Sequence, residues 1–141
     1  HDEETFSFQI GKGDVMREGS DVAIIATGLM VNEAVEAAKT LAEQGIDAMV
    51  INMCTIKPLD EELVLEAARK CGKIITCEEH SVIGGLGEAV CACLSEKCPT
   101  PVRRIGVNDV FGFSGPANDL LKEFGLSAEN IVKTAHEFCG K

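Results

Sequence analysis

The sequence of 141 residues contains no tryptophan and no tyrosine, and it has only six phenylalanines. A core built from this chain must therefore be mainly aliphatic. No apolar run reaches the roughly 20 residues that a membrane-spanning helix needs, so we expect no membrane partner. The formal net charge is −10, and an acidic surface also argues against nucleic acid as a partner.

The chain also lacks the usual fingerprints of cofactor sites. A dinucleotide site would show GxGxxG after the first long strand, but Thr27-Gly28-Leu29-Met30 holds one glycine there. No GxxxxGK[ST] phosphate loop and no CxxC pair occur. The seven cysteines are odd in number and lie mostly in apolar patterns, which is typical of reduced thiols in a cytoplasmic protein.

Apolar strand patterns alternate with helical patterns along most of the chain. We predict strands at 22–26, 48–51, 74–77 and 102–107, each followed by a helix. Gly45 is predicted to end the first helix, Asp60 to begin and Gly72 to end the second, and Ser127 to begin the last. A further short helix is predicted at 117–124. This alternation predicts parallel strands in a three-layer α/β/α domain.

The first residues differ from this pattern. Phe6, Phe8 and Ile10 alternate with polar residues, so we interpret residues 1–13 as an extended arm and residues 14–141 as the domain. The arm does not have the pattern of a signal peptide. The opening HDEETF lacks a methionine, which fits either an artificial boundary or a cut from a longer polypeptide.

The stretch IITCEEHSVIGGLGEAV, residues 74–90, is where we expect function. It predicts a buried strand, an acidic turn with a histidine, a glycine pivot and a helix that starts close against the sheet. Ligands and partners of parallel sheets meet the carboxyl ends of the strands. The candidate ligand or interface loop therefore consists of six residues: Glu78, Glu79, His80, Gly84, Gly85 and Gly87.

Two interpretations of His80 are possible. It could contact an anion or donate a proton at the helix entrance. It could instead form a hydrogen bond that fixes the turn, which we favour because no catalytic partner can be identified. A nucleophilic Cys77 paired with His80 is conceivable, but the acidic neighbours disfavour a thiolate. We predict no catalytic, cofactor-binding or metal-binding residue on this chain.

The sequence resembles the C-terminal domain of transketolase and of related thiamine-diphosphate enzymes. The matching segments cover nearly the whole chain from Phe8 onward: REGSDVAIIATG (17–28), INMCTIKPLDEE (51–62), CEEHSVIGGLGEAV (77–90), RRIGVNDVFGFSGPANDLL (103–121) and FGLSAENIV (124–132). Asn108 stands where the family pattern has proline. Deoxyxylulose-phosphate synthase and the β subunits of the 2-oxo-acid dehydrogenases share this domain, but the EEH segment and the tail resemble transketolase most.

The resemblance implies a five-stranded mixed sheet in which Asp14–Glu18 forms the antiparallel strand. It also implies a parent enzyme of the pentose phosphate pathway that transfers two-carbon ketol units between sugar phosphates. Thiamine diphosphate and a divalent cation, magnesium or calcium, would be bound by other domains or a companion subunit. This domain would itself be non-catalytic and would support packing in a homodimer.

Two alternatives remain open for the role of the domain. It could be a regulatory module that binds an anion between His80 and the amides around Gly84–Gly87. It could also be a docking module for a partner, as in a 2-oxo-acid dehydrogenase β subunit.

Overall fold

The computed structural model describes residues 12–54, 56, 58–81, 85–107 and 127–141. Most of the predicted arm, Gly84 and the predicted helix 117–124 lie outside these residues. The described strands and helices, in chain order, are β1 (Gly13–Arg17), β2 (Val22–Ala26), α1 (Met30–Glu43), β3 (Ala48–Met53), α2 (Glu61–Cys71), β4 (Ile74–Ser81), α3 (Leu86–Lys97), β5 (Val102–Val107) and α4 (Ala128–Cys139).

The five strands form one mixed sheet in the order β1-β3-β2-β4-β5. Strands β2, β3, β4 and β5 are parallel, and β1 pairs antiparallel with β3. The predicted α/β fold and the antiparallel first strand are therefore confirmed. No helix of the described residues has the length and apolarity to cross a membrane.

The core has two layers, one on each face of the sheet. Every residue of β2 is buried. Ile24 and Ala26 pack with α1 and α4 on one face of the sheet. Ala23 and Ile25 pack with α2 and α3 on the other face. Side chains of a strand alternate between faces, so the continuous apolar run of β2 supplies both layers at once.

Strand β4 is longer than its apolar pattern predicts. The predicted strand stops at Cys77, whereas the observed strand continues through Glu78, Glu79 and His80 to Ser81. The predicted acidic turn is therefore wrong. The register with β5 shifts between Cys77 and Ser81, so this polar half of the strand pairs irregularly.

The helix ends confirm three of the four predicted caps. Gly45 and Gly72 adopt the left-handed conformation, with φ of 86° and 72°. Asp60 caps α2 by accepting a hydrogen bond from the Leu63 N–H. Ser127 precedes α4 as predicted, but its side chain makes no capping hydrogen bond. The Ala128 N–H donates instead to Glu33 Oε1 of α1 at 3.1 Å.

Candidate functional site

A buried carboxylate joins the middle of β4 to the start of α3. The Leu86 N–H donates to Glu78 Oε1 and the Gly87 N–H donates to Glu78 Oε2, each at 2.8 Å. The Glu78 residue is only 1% exposed. Thr76 and Glu78 stand two apart in the strand, so both side chains point toward α3.

Both the carboxylate and the helix amides require hydrogen-bond partners when they are buried. The first amides of a helix lack partners within the helix and carry its positive end charge. A carboxylate removed from water is costly unless hydrogen bonds compensate it. The Glu78 carboxylate and the two amides satisfy each other with charge-assisted bonds. An external anion could reach these two amides only by displacing Glu78.

Gly87 permits the close approach of α3 to the sheet, as the glycine pattern predicts. A Cβ at Gly87 would lie 2.6 Å from Arg104 Cδ and 3.1 Å from Thr76 Oγ1. The Thr76 hydroxyl is buried and has no hydrogen-bond partner in the described part of the chain. Gly85 is the residue that precedes α3, and its backbone is extended.

The six residues of the candidate ligand or interface loop do not lie in one loop. Glu78 is buried, Glu79 and His80 lie in β4, Gly85 precedes α3 and Gly87 lies in its first turn. Gly84 lies outside the described residues. The structure brings Glu78 and Gly87 into direct contact. A ligand or interface role for the whole set stays a prediction.

Arg104 is a contact residue that the sequence analysis missed. Its side chain, from the neighbouring strand β5, covers Gly87. No motif marks it, because the contact depends on the pairing of β4 with β5. The pairing brings Arg104 opposite Thr76. One feature of the sequence could have indicated a close contact here. Thr76 and Glu78 lie on one face of the strand, and a glycine stands at the start of the next helix.

Cys77 has the wrong environment for a nucleophile. It is fully buried and packs in the α1 and α4 layer. Burial raises the pKa of the Cys77 thiol, and the neighbouring Glu78 carboxylate raises it further. Since the thiolate is the nucleophilic form, the conceivable pair with His80 gains no support from this thiol.

The described residues do not fit thiamine diphosphate with its divalent cation. Within this part of the chain, no three His, Cys, Asp or Glu side chains come together to hold a metal ion. The two amides at the start of α3 already bind Glu78.

Comparison with known proteins shows the family of this fold. Residues 11–131 match the sequence profile of the family described as transketolase, C-terminal domain. The chain belongs to this family. A solved split-gene transketolase, in an inactive beta4 tetramer, is 50% identical and superposes with a TM-score of 0.89, covering 94% of this chain and 43% of that one.

Two curated relatives show how widely the domain is shared. The 6-deoxy-6-sulfo-D-fructose transketolase subunit SqwH of Clostridium sp. (strain MSTE9) is 54% identical over 96% of this chain and 42% of its own length. The 1-deoxy-D-xylulose-5-phosphate synthase 1 of Geobacter sulfurreducens is 46% identical over 97% of this chain and 22% of its own length. The chain therefore spans less than half the length of either relative.

Proposed function

We propose that this chain is the C-terminal domain of a transketolase-type enzyme that transfers two-carbon ketol units between sugar phosphates. The domain itself is non-catalytic and packs against the domains that bind thiamine diphosphate and a magnesium or calcium ion. Those domains are fused to it or carried by a companion subunit. The observation that carries the proposal is the family match over residues 11–131.

The geometry of the site supports a scaffolding role for this domain. Glu78 lies in β4, and both of its carboxylate oxygens accept hydrogen bonds from the first turn of α3. A general acid or base must reach the reacting group with a free lone pair or proton. Glu78 instead positions α3 on the sheet.

The test compares the chain alone with the chain in its whole enzyme. We expect no thiamine diphosphate binding in calorimetry with the 141-residue chain, and no ketol transfer from a ketose phosphate to an aldose phosphate. The whole polypeptide, or the chain mixed with its companion subunit, should regain both. Tight cofactor binding by the isolated chain would contradict the proposal.

A 1-deoxy-D-xylulose-5-phosphate synthase is the second candidate, because one such enzyme is 46% identical to this chain. The whole enzyme separates the two candidates through its product. Ketol transfer yields a ketose phosphate that keeps a hydroxyl group on C1, whereas the product of the synthase is deoxygenated at C1. Accumulation of 1-deoxy-D-xylulose-5-phosphate would favour the synthase and overturn the transketolase assignment.

Binding of a regulatory anion at the start of α3 has less support than the scaffolding role. The motivation for it was the glycine-opened start of α3, but Glu78 holds the amides of Leu86 and Gly87. A phosphate ester would have to compete with a buried intramolecular carboxylate. Titration of the chain with a phosphate ester, followed by NMR of the Leu86 and Gly87 amides, should show no shift at millimolar ligand.

Self-association is a further part of the proposal. A homodimer is the expected state of the whole enzyme, in which this domain contributes to packing between subunits. Sedimentation of the whole enzyme across a hundredfold concentration range should show a dimer at the upper end. A monomer at every concentration would contradict this part alone and would leave the reaction untouched.

A further inference from the structure

A polar groove lies between β5 and α4. Its volume is about 300 Å³, at the lower end of pockets that hold small molecules. Strand β5 contributes Arg103 and Arg104 to its lining, and α4 contributes Thr134 and Glu137. Three of these four side chains can donate hydrogen bonds, and two of them carry a positive charge. The lining therefore suits a polar ligand.

The two arginines of the groove have no carboxylate partner among the described residues. The chain has 23 aspartates and glutamates against 13 lysines and arginines, so acidic partners are plentiful. Arg17, for example, pairs with Asp47 at 3.1 Å. No ion pair within the described part of the chain contains Arg103 or Arg104, and both are exposed. Two adjacent arginines thus leave a local positive charge on an acidic protein.

Phe138 positions the guanidinium of Arg103 without satisfying its hydrogen bonds. The guanidinium carbon lies over the Phe138 ring, 4.7 Å from its centre. The ring is half-buried and packs against the core layer of α1 and α4. The attraction between a cation and an aromatic ring uses the charge of the guanidinium rather than an acceptor atom. Arg103 is therefore held in place while its N–H groups still lack an acceptor among the described residues.

The facing wall of the groove is one side of α4. Asn130, Thr134 and Glu137 line the groove, and their spacing of four and three residues places them on the same face of the helix. Thr134 brings a hydroxyl group, whereas the exposed Glu137 brings one negative charge. With two arginines opposite, the lining keeps a net charge of +1. Charge complementarity therefore favours an anion, and Glu137 weakens its binding.

We propose that this groove binds the phosphate or carboxylate group of a small molecule, with Arg103 as the main contact and Arg104 as a second positive charge. A guanidinium matches both kinds of group, because two of its N–H groups can donate to two oxygens at once. The Thr134 hydroxyl can donate a further hydrogen bond from the other wall. The site is separate from the start of α3, where Glu78 holds the helix amides. It does not depend on the reaction of the whole enzyme.

The direct test is an NMR titration of the 141-residue chain with sodium phosphate, sodium acetate and sodium chloride at matched ionic strength. The Thr134 methyl and Arg103 Nε–H signals should shift and saturate at millimolar phosphate or acetate, whereas chloride should leave them unchanged. Saturation with only one of the two oxyanions identifies the group that the site prefers. No saturation with either oxyanion, or an equal response to chloride, would overturn the proposal. Shifts confined to the Leu86 and Gly87 amides would place the anion at the start of α3 and would also overturn it.

Two substitutions should change the affinity in opposite directions. Arg103→Gln removes the main contact, so the Kd for the oxyanion should rise roughly tenfold or more, the effect of losing a charge-assisted hydrogen bond. Glu137→Gln removes the negative charge from the groove, so the Kd should fall about twofold to fivefold, the effect of one exposed charge. Unchanged binding by Arg103→Gln, or weaker binding by Glu137→Gln, would contradict the proposed site.

Arg69→Gln is the matched control for Arg103→Gln. It removes the same charge from an exposed position in the last turn of α2, and Arg69 does not line the groove. The Kd should change by less than about twofold, because salt screens charges that are far from the ligand. Equal effects of the two arginine substitutions would mean that the anion responds only to the total charge of the chain, which would overturn the proposal. If Arg103→Gln fails to fold, the titration of the unchanged chain and the Glu137→Gln variant still decide.

Discussion

The Gly87 N–H donates a hydrogen bond of 2.8 Å to Glu78 Oε2, and both residues are buried. This contact joins a central strand of the sheet to the first turn of the helix that follows it. The contact between Glu78 and Gly87 depends on two features. The carboxylate supplies an acceptor for the helix amides, and the missing Cβ of Gly87 lets the helix approach the sheet.

Replacing Glu78 tests the first feature. Glu78→Gln keeps the size of the side chain but places an NH2 donor against one of the two amide donors. We expect the free energy of unfolding to fall by about 2–3 kcal/mol, because one charge-assisted bond is lost and a buried amide is left without an acceptor. Urea unfolding at neutral pH measures the change.

The control for Glu78 is Glu62→Gln, which alters an exposed carboxylate in the first turn of α2. It should change the free energy of unfolding by no more than about 0.5 kcal/mol. A Glu78→Gln variant as stable as this control would show that the buried carboxylate is dispensable for docking α3.

Replacing Gly87 tests the second feature. Alanine favours helix over glycine by up to about 1 kcal/mol, but its Cβ would crowd Arg104 and Thr76. Overpacking costs about 1–3 kcal/mol, so Gly87→Ala should lower the free energy of unfolding by about 1 kcal/mol. Because Arg104 Cδ makes the closest contact, Arg104→Ala should remove most of this loss in a thermal unfolding experiment.

Gly72→Ala provides a contrast with Gly87→Ala. Gly72 has φ of 72°, and a Cβ there would meet nothing within 4 Å. Its cost of about 1 kcal/mol comes from the left-handed backbone alone. Arg104→Ala should leave that cost unchanged. Rescue of both glycine variants by Arg104→Ala would mean that crowding at Gly87 is not the cause.

Local signals account for the parts of the fold that the sequence analysis predicted correctly. The run Val22–Ala26 specifies a strand buried on both faces without reference to any distant residue. Gly45 and Gly72 end their helices through their own backbone angles. After Gly45, the Ile46 N–H returns to the Leu41 carbonyl at 2.9 Å, a contact five residues apart that a sequence window can contain.

The errors fall where a distant partner decides the structure. Three polar residues after Cys77 have the composition of a turn, yet β4 continues to Ser81, and the Glu78 carboxylate binds amides of α3. Ser127 is a good capping residue, but Glu33 binds the start of α4 from 95 positions away. Such contacts depend on how the helices pack, which hydrophobic periodicity does not specify in detail.

Asp60 holds two elements through its two oxygens. Oδ1 caps α2 through the Leu63 N–H, and Oδ2 accepts from the Gly13 N–H of β1. Asp60→Ala should therefore lower the free energy of unfolding by about 2 kcal/mol, the sum of a cap and a further hydrogen bond. Asp60→Ser should cost about half as much, since serine can cap the helix but is too short to reach Gly13.

Hydrogen exchange separates the two roles of Asp60. In Asp60→Ser the amides of β1 should exchange faster, whereas those in the first turn of α2 keep their protection. Glu62→Ser is the matched control, since it places the same residue at an exposed position of that turn. Equal loss of protection in β1 and α2 would mean that the two oxygens do not act separately.

The cysteines should react in an order set by burial. Cys54 is exposed, whereas Cys71 is buried with its thiol 3.5 Å from the Gly19 carbonyl oxygen. Burial disfavours the charged thiolate and raises the pKa of Cys71 to about 11. At pH 8 only about one Cys71 thiol in a thousand is then ionised. Iodoacetamide should therefore label Cys54 first under native conditions.

The pH dependence of that labelling identifies its cause. Because a raised pKa keeps the thiol neutral well above pH 9, the Cys71 labelling rate should rise about tenfold with each pH unit up to about pH 11. Peptide mapping by mass spectrometry follows both cysteines in one sample, and 8 M urea should abolish the difference between them. A Cys71 rate that levels off near pH 9 would show that the reagent reacts with an opened form in which Cys71 has an ordinary pKa.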